Sequence, residues 1–305
     1  MDLWSLISLQ ITLFILMMVG ALLKKTGVIG AEGKKTLSDL CIKVVIPCNI
    51  FKSFLIDFTP DILKTCGLLL VSAVILQAVC LLLNRFIYNG QEQRRKKVLQ
   101  YCTIVPMSGF LGNPIAEGIY SSVGVLYTSI FLIPMRIIMW SVGTSYFVAG
   151  EKADPKKVLK NVLTHPALVA IYLGLICMVT GFRPPAVILK PIQYLGNCNT
   201  ALTMIIVGTI LADVPLLSIF SKATLGFSAL RLALLPAAAF GLGMLLGLDN
   251  VSHGVSVLMT GMPAGATAAI LAARYESDAE FATKCVVLST LISMVTLPLW
   301  AHIVG

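Results

Sequence analysis

Charged side chains are scarce in this sequence: only 12% of its 305 residues are Asp, Glu, Lys or Arg. Soluble proteins carry about twice that share of charge. Hydrophobic residues make up 57% of the chain, and many apolar runs are long enough to cross a hydrocarbon core about 30 Å thick. This composition excludes a soluble domain and predicts an all-α polytopic membrane protein.

The residue patterns of enzymes and metal proteins are also missing. The sequence contains no Cys-x-x-Cys pair, no Cys/His ligand set, no nucleotide-binding loop and no nucleophile–base pair. Its eight cysteines lie mostly inside apolar runs, where they are expected to be small buried hydrophobic side chains. We therefore expect no enzymatic activity, no cofactor and no bound metal.

Acidic residues are outnumbered by basic ones, 14 to 23, which gives the chain a net charge of +9. The basic residues cluster between apolar runs, so membrane topology and anionic lipid headgroups explain them better than a nucleic-acid partner. They are also concentrated in alternate loops. By the positive-inside rule, these loops, including the central one, are cytoplasmic, and both termini lie outside a multi-pass protein of the cell membrane.

The apolar runs predict ten membrane-spanning helices joined by short loops. Their predicted boundaries are 3–23, 36–57, 62–86, 98–120, 124–149, 161–182, 187–212, 223–247, 251–274 and 281–304. The longest polar connector, residues 151–160, is predicted to be a short cytoplasmic linker between two five-helix halves. The first half is residues 1–150 and the second is residues 161–305.

The two predicted halves have opposite orientations in the membrane, because each contains an odd number of spans. Two short matches relate them at almost the same offset. Gly-Asn-Pro at 112–114 of span four corresponds to Gly-Met-Pro at 261–263 of span nine, and Cys48–Asn49 of span two corresponds to Cys198–Asn199 of span seven. An inverted repeat with helices interrupted at matching places is typical of secondary transporters, whose binding site lies at the interruptions.

Spans four and nine are each predicted to break near the middle of the bilayer. In span four the break is predicted at Asn113–Pro114, because asparagine suits a helix N-cap and proline suits the first helical position. In span nine Pro263 lies between Gly261 and Gly265. The second half-helices would then direct their partly positive amino-terminal ends at one place, which predicts an anion site suited to a carboxylate. The alternative is that the two prolines only kink packed helices.

Arg136 lies near the centre of predicted span five, where a charge is costly and normally has a partner inside the protein. Its partner could be Glu117, helix carbonyl groups at the crossing, or an anionic substrate. Glu117 follows the break in span four. It is either a partner of the helix dipole near the outer interface or a protonatable or cation-binding group that couples transport. Lys43, Arg231 and His165 are expected to lie at or extend to the membrane interface.

The segments SGFLGNPIAEGIYSSVGVLYTSIFLIPMRIIMW (108–140) and MPAGATAAILAARYESDAEFATKCVVLSTLISMVTLPLW (262–300) resemble the auxin efflux carrier family. The chain is similar to its bacterial branch, described as malate or malonate permeases, and more distantly to the plant PIN-formed auxin carriers. The resemblance implies the fold of bile-acid/sodium symporters, in which two five-helix inverted repeats form a scaffold domain and a transport domain. It also implies elevator-type alternating access and, as in the plant members, a possible homodimer.

The resemblance also implies which residues bind the substrate. In the family, helices four and nine cross at prolines, which correspond to Pro114 and Pro263. Neighbouring positions and polar positions of helices two and seven complete the implied site: Gly112, Asn113, Gly261, Met262, Ala264, Gly265, Asn49 and Asn199. The sequence departs from the family at 107–110, where Met-Ser-Gly-Phe replaces the frequent Asn-x-Gly-Phe. A polar group that could contact the substrate is therefore missing, so the resemblance alone does not establish that this chain shares the substrate of better-known members.

Three hypotheses about function follow from these patterns. In the first, the protein is a secondary transporter of small organic anions such as malate, malonate or auxin-like acids, with Arg136 among its substrate-binding residues. In the second, it is a symporter or antiporter coupled to H⁺ or Na⁺, in which Glu117 and Asn113 bind the ion. In the third, it is a channel-like or sensory membrane protein. The expected partners are the organic anion, the lipid bilayer and a possible second copy of the chain.

Overall fold

Helices form the regular secondary structure of the computed structural model, which describes residues 3–55, 60–143, 145–147, 160, 163–213, 215 and 218–304. Within these ranges the one β-type pairing is an isolated antiparallel bridge between Pro106 and Ala264. The helices, numbered in chain order, are α1 (Leu3–Lys25), α2 (Ala31–Leu40), α3 (Ile46–Ser53), α4 (Pro60–Phe86), α5 (Gln93–Ile104), α6 (Gly112–Ile138), α7 (Pro166–Thr180), α8 (Ala186–Asn197), α9 (Asn199–Leu211), α10 (Lys222–Ala229), α11 (Leu235–Leu246), α12 (Asn250–Thr260), α13 (Thr267–Arg274) and α14 (Ala279–Val304).

Six helical stretches of the described chain are long and apolar enough to cross a membrane. They are Ile7–Lys25, Pro60–Phe86, Gly112–Ile138, Ala186–Leu211, Lys222–Leu246 and Ala279–Val304. Large apolar side chains on their outer faces, such as Ile11, Ile15 and Leu22 of α1, are exposed, as expected of a surface that faces lipid. The all-α membrane fold predicted from composition is therefore confirmed, whereas the count of ten spans stays a prediction.

Two helical segments are interrupted by wide turns. α2 passes into α3 through a π-helical turn at Cys41–Val45, and α10 passes into α11 through another at Leu230–Leu234. In both places a proline follows within two residues, Pro47 and Pro236. A proline lacks the amide donor and clashes with the carbonyl one turn before it, so a wider turn relieves the clash without ending the helix.

α6 consists of two helical pieces that are separated at Ser121. This residue has φ 56° and ψ −148°, which lie far from helical values. The first piece, residues 112–120, continues interrupted span four, and the second, residues 122–138, corresponds to span five. The turn therefore agrees with the predicted boundary between these two spans.

The helices pack into two bundles. α1–α3 and α7–α9 contact chiefly one another and form what we call the α1 bundle. α4–α6 and α10–α14 form the second bundle, which we call the crossing bundle. Within the α1 bundle, α1 and α9 approach closely at Gly20 and Gly208, because a Cβ atom on Gly208 would overlap the carbonyl oxygen of Met17. The main contacts between the bundles are those of α3 with α6 and of α1 with α14.

Candidate functional site

Two interrupted helices of the crossing bundle, α5–α6 and α12–α13, cross at their breaks. Val105 has an extended backbone and is followed by Pro106, which is also extended. Two backbone hydrogen bonds join the breaks: the Met107 amide donates to the Pro263 carbonyl at 2.7 Å, and the Gly265 amide donates to the Val105 carbonyl at 2.9 Å. This pairing satisfies backbone polar groups that lipid cannot satisfy.

The crossing lies earlier in span four than predicted. Pro263 takes part in it, but its counterpart is the segment around Pro106 and not Pro114. Pro114 lies in the first turn of α6 together with Gly112 and Asn113, because α6 already begins at Gly112. The predicted restart of the helix at Asn113–Pro114 therefore agrees with the start of α6 to within two residues, whereas the predicted position of the crossing at Pro114 is wrong. Proline is compatible with the first turn of a helix, so Gly-Asn-Pro marks the start of a helix and not the crossing.

A glycine and a serine support the crossing. Gly265 permits the close approach of the two breaks, because a Cβ atom there would lie 2.9 Å from the carbonyl oxygen of Val105. The buried amide of Ala264 donates to Oγ of Ser289, on α14, at 3.1 Å. The break in span nine is thus held both by the opposite break and by a neighbouring helix of the same bundle.

A cavity of about 250 Å³ adjoins the crossing. Residues of both bundles line it, including Pro106, Arg136, His165 and Thr267. Two of the residues predicted to bind substrate, Arg136 and Gly265, lie on its wall. The lining does not include the others, which are Gly112, Asn113, Pro114, Gly261, Met262, Pro263, Ala264, Asn49 and Asn199.

Arg136 supplies the positive charge of this cavity. Its side chain is 6% exposed, and its Nη1 atom is buried without a hydrogen-bond partner. No ion pair between residues that the structure describes includes it. Of its three predicted partners, Glu117 binds Lys52 instead, and carbonyl groups at the crossing are bound by Arg231. An anionic ligand is the remaining predicted partner.

Two further groups of the cavity can donate hydrogen bonds to an anion. His165 caps α7: its Nδ1 accepts the Ala167 amide at 3.3 Å, which leaves Nε2 as the donor of a neutral imidazole. α13 begins on the cavity wall at Thr267. The first amides of a helix have no acceptor within it, and of these the Ala268 amide already donates to the Gly265 carbonyl at 3.0 Å. Together with Arg136, these groups have the chemistry of a carboxylate site.

The three asparagines predicted for the site lie in the interior, away from the cavity lining. Asn113 and Asn199 are fully buried, and no atom of either side-chain amide has a hydrogen-bond partner. Asn49 is also fully buried and donates to Glu117 at 3.3 Å. The role of these asparagines in binding stays a prediction.

Glu117 is held by residues of the α1 bundle. Its Oε1 accepts a hydrogen bond from Lys52 Nζ at 2.9 Å, and its Oε2 accepts one from Asn49 at 3.3 Å. Lys52 also donates to Oδ1 of Asn197 at 3.0 Å. Because Lys52 and Asn49 lie on α3, Asn197 lies on α8 and Glu117 lies on α6, this network joins the two bundles.

Arg231 lies at the crossing and not at the membrane interface, so its sequence-based interpretation is wrong. The side chain is 2% exposed. Its guanidinium donates to the Thr103 carbonyl at 2.7 Å and to the Met262 carbonyl at 2.9 Å. Lys43, which the sequence also places at the membrane interface, is exposed and pairs with Asp39 one turn away, as expected of an interfacial lysine.

The sequence does not predict the positions of three residues: Pro106 and Arg231 at the crossing, and His165 on the cavity wall beside it. Each carries a local signal nevertheless. Pro106 opens a second proline–glycine cluster within span four, and Arg231 precedes Pro236 inside an apolar run. His165 is a polar residue followed by a proline, as at many helix starts. These signals mark interruptions of helices, but they do not indicate which side chains meet in three dimensions.

A family model described as "Membrane transport protein" matches residues 6–301 of the chain. A protein of Methanothermobacter thermautotrophicus, described as an uncharacterized transporter, is 30% identical over 298 residues, which cover 95% of this chain and 96% of that protein. The uncharacterized transporter YfdV of Escherichia coli K12 is 22% identical over 301 residues, 95% of each chain. A probable auxin efflux carrier component 1c of Oryza sativa subsp. japonica is 24% identical over 140 residues, 46% of this chain and 24% of that protein.

Proposed function

Because the chain belongs to the membrane transport protein family, the family of the auxin efflux carriers, we propose that it is a secondary transporter of small organic anions. The family is one of membrane transporters and not an enzyme class. Its match and the six long apolar helices make the chain a multi-pass membrane protein. The proposed cargo is a carboxylate that binds in the cavity at the crossing, against Arg136.

The observation that carries this proposal is Arg136 on a cavity wall, whose Nη1 atom is buried without a hydrogen-bond partner and which forms no ion pair with any residue that the structure describes. A central charge in a membrane protein costs at least about 2.5–3.5 kcal/mol on insertion scales. An anion that enters the cavity offsets this cost, since a carboxylate can accept two parallel hydrogen bonds from one guanidinium. A neutral or cationic substrate would leave the arginine uncompensated.

The apolar lining supports a monocarboxylate with a hydrophobic body. Ile46, Phe110, Met135 and Met139 line the cavity, and Arg136 is the one lysine or arginine among its lining residues. The second carboxylate of malate or malonate would have no cationic partner there and would lose its hydration. A volume of about 250 Å³ also suits a small acid, because sites for drug-sized molecules are roughly 300–1,000 Å³.

We propose that transport follows an elevator-type mechanism of alternating access. The α1 bundle stays fixed in the membrane, and the crossing bundle carries the bound anion past it. Two features support this proposal: both broken helices belong to the crossing bundle, and the helices contact each other less extensively between the bundles than within them. The ten spans, the inverted repeat, the outward-facing termini and the homodimer predicted from the sequence are parts of the same proposal.

The buried asparagines fit a site that changes between states. Asn113 and Asn199 have unpaired side-chain amides in this structure, and a buried polar group without a partner costs about 1–3 kcal/mol. A shift of the crossing bundle against the α1 bundle would bring them to water or to the cargo. We propose that they contribute to binding in that second state.

Proton coupling is a second candidate function, favoured by the Lys52–Glu117 pair between the bundles. A proton on Glu117 would remove its attraction to Lys52 and release the crossing bundle. Uptake by Glu117→Gln protein under an imposed pH gradient tests this. Coupling through Glu117 predicts a variant that no longer responds to the gradient, and a response equal to that of the wild type would exclude this residue as the coupling group.

Uptake by purified protein in proteoliposomes tests the transport proposal. Labelled aliphatic and aromatic monocarboxylates and dicarboxylates are supplied in turn, and we expect uptake of monocarboxylates. The Arg136→Gln variant should lose this uptake, whereas the control Arg85→Gln, at an exposed position near the end of α4, should retain it. Equal uptake by Arg136→Gln would contradict the site, and ion currents without uptake of any acid would favour a channel.

A further inference from the structure

The first halves of the two broken helices end at the crossing, α5 at Ile104 and α12 at Thr260. The last carbonyl groups of a helix have no donor within it and carry the negative end of the helix dipole, about half an elementary charge. Thr103, Ile104 and Met262, which surround these ends, are fully buried. The crossing therefore concentrates negative partial charge among buried residues.

Two side chains from other helices donate hydrogen bonds to these carbonyl groups. Arg231 donates through Nη1 to the Thr103 carbonyl at 2.7 Å and through Nε to the Met262 carbonyl at 2.9 Å. Gln77 Nε2 donates to the Ile104 carbonyl at 3.3 Å. A single guanidinium thus bridges both broken helices.

The charge of Arg231 is balanced by backbone dipoles. No ion pair between described residues includes Arg231, although its side chain is 2% exposed. A charge buried this deeply in a membrane protein pairs with an opposite charge or with backbone carbonyls. Unwound carbonyls and the carboxyl-terminal ends of half-helices are also the groups that coordinate Na⁺ in transporters with broken helices.

The π-helical turn between α10 and α11 places the Arg231 side chain at the crossing. Arg231 lies within the π-helical turn Leu230–Leu234, and such turns occur frequently at functional sites. Pro236, just after the turn, packs near Gly261: a Cβ atom on that glycine would lie 3.3 Å from the Pro236 Cβ. The arginine and the proline of one interrupted segment therefore both contact the break of another.

We propose that Arg231 is a tethered cation, which holds the position that a coupling metal ion would occupy at the carbonyl ends of the two half-helices. The role of Arg231 in transport rests on the proposed function. Its hydrogen bonds to the Thr103 and Met262 carbonyls do not depend on that function. It follows that transport does not require Na⁺. The two arginines then have separate tasks, since Arg136 binds the anion and Arg231 neutralises the crossing.

A second, small cavity beside Arg231 makes the inference testable. Its volume is about 20 Å³, and Gln77, Thr260 and Pro106 line it together with Arg231. A space of this size holds about one water molecule. Removal of the guanidinium would enlarge it and leave the Thr103 and Met262 carbonyls free to bind a small cation in place of the side chain.

The wild-type protein provides the first test. Its unfolding temperature in detergent and its uptake rate in proteoliposomes are measured in NaCl, LiCl, KCl and choline chloride at equal ionic strength. We expect both quantities to be the same in all four salts. Uptake that requires Na⁺, or a rise in unfolding temperature specific to Na⁺, would overturn the proposal while leaving the transport function intact.

The Arg231→Ala variant provides the second test, with Arg85→Ala as the control. We expect Arg231→Ala to unfold at a lower temperature in choline chloride and to recover part of the loss when Na⁺, Li⁺ or millimolar methylguanidinium is added. The control and the wild type should not respond. A folded Arg231→Ala protein whose unfolding temperature responds to none of these cations would contradict the proposal.

A second variant and a second measurement keep the test decisive if Arg231→Ala does not fold or if no transport is detected. If Arg231→Ala does not fold, Arg231→Lys is used, because it keeps a charge but cannot bridge both carbonyls as a planar guanidinium does. It should fold with lower stability, and wild-type stability would count against the bridging role. If no acid is transported by any form of the protein, the proposed function fails, but the cation response of the unfolding temperature still decides whether Arg231 is a tethered cation.

Discussion

Nζ of Lys52 lies 2.9 Å from Oε1 of Glu117, and this ion pair joins α3 of the α1 bundle to α6 of the crossing bundle. Asn49 and Asn197 complete the network on the side of the α1 bundle. The side chains of Lys52 and Glu117 are 18% and 27% exposed. If the crossing bundle slides during transport, this contact has to open, so it stabilises the state seen here over the next one.

The first prediction concerns the opening of this contact. Partly exposed ion pairs contribute about 0.2–1 kcal/mol, so Lys52→Met should barely change the unfolding temperature. It should accelerate uptake at saturating cargo by up to about fivefold, because 1 kcal/mol corresponds to a factor of about 5. Lys64→Met, at an exposed position of α4, is the control. Unchanged or slower uptake by Lys52→Met would show that the pair does not restrain the crossing bundle.

The second prediction compares two prolines of span four. Pro106→Ala should reduce uptake by about tenfold, equivalent to about 1.4 kcal/mol, because an alanine allows α5 to extend into the break that pairs with Pro263. Pro114→Ala should have a smaller effect, since Pro114 lies in the first turn of α6. Initial uptake rates of the two purified variants provide the measurement. A larger loss of uptake for Pro114→Ala than for Pro106→Ala would support a crossing at Pro114, as predicted from the sequence.

The third prediction concerns the close contact at Gly265. Gly265→Ala places a methyl group 2.9 Å from the Val105 carbonyl oxygen, and overpacking of this kind costs about 1–3 kcal/mol. We expect a lower unfolding temperature and reduced uptake. Gly241→Ala in α11 is the control, because open space surrounds that position. Equal unfolding temperatures for the two variants would show that the breaks do not need to approach this closely.

The fourth prediction isolates one hydrogen bond. Ser289 and Ser293 are both buried on α14 and both bond to carbonyls of their own helix, but only Ser289 also accepts the Ala264 amide. Ser289→Ala should therefore be less stable than Ser293→Ala by about 1–3 kcal/mol, the cost of an unsatisfied buried donor. Chemical denaturation in mixed micelles measures the difference. Equal stabilities would mean that the Ala264 amide finds another acceptor.

The membrane fold and the interruption of spans four and nine are predictable from the sequence, because both depend on local chemistry. Hydropathy indicates helices that face lipid, and prolines with nearby glycines indicate broken helices. The pairing of the breaks is not local. Gly-Asn-Pro and the segment around Pro106 are both plausible interruptions, and the choice between them depends on which backbone meets Pro263.

The candidate site is predictable only in part for a related reason. A functional role for Arg136 could be predicted because the residue lies near the centre of span five, where a charge is costly and normally has a partner. Arg231 lies nearer the end of its span in the sequence, so the sequence predicts a side chain that extends to the membrane interface. Position along a helix indicates depth but not direction, and the π-helical turn at Leu230–Leu234 alters the direction that its side chain takes.

The most direct test of the account compares the binding of an aromatic monocarboxylate with that of its primary amide, which has the same shape but no charge. Dissociation constants are measured for wild-type protein, Arg136→Gln and the control Arg85→Gln. The account predicts that the wild type and the control bind the acid at least about tenfold more tightly than the amide, a difference of about 1.4 kcal/mol. Arg136→Gln should bind the two alike. A preference for the acid that persists in Arg136→Gln would contradict the assignment of Arg136 as the group that binds the carboxylate.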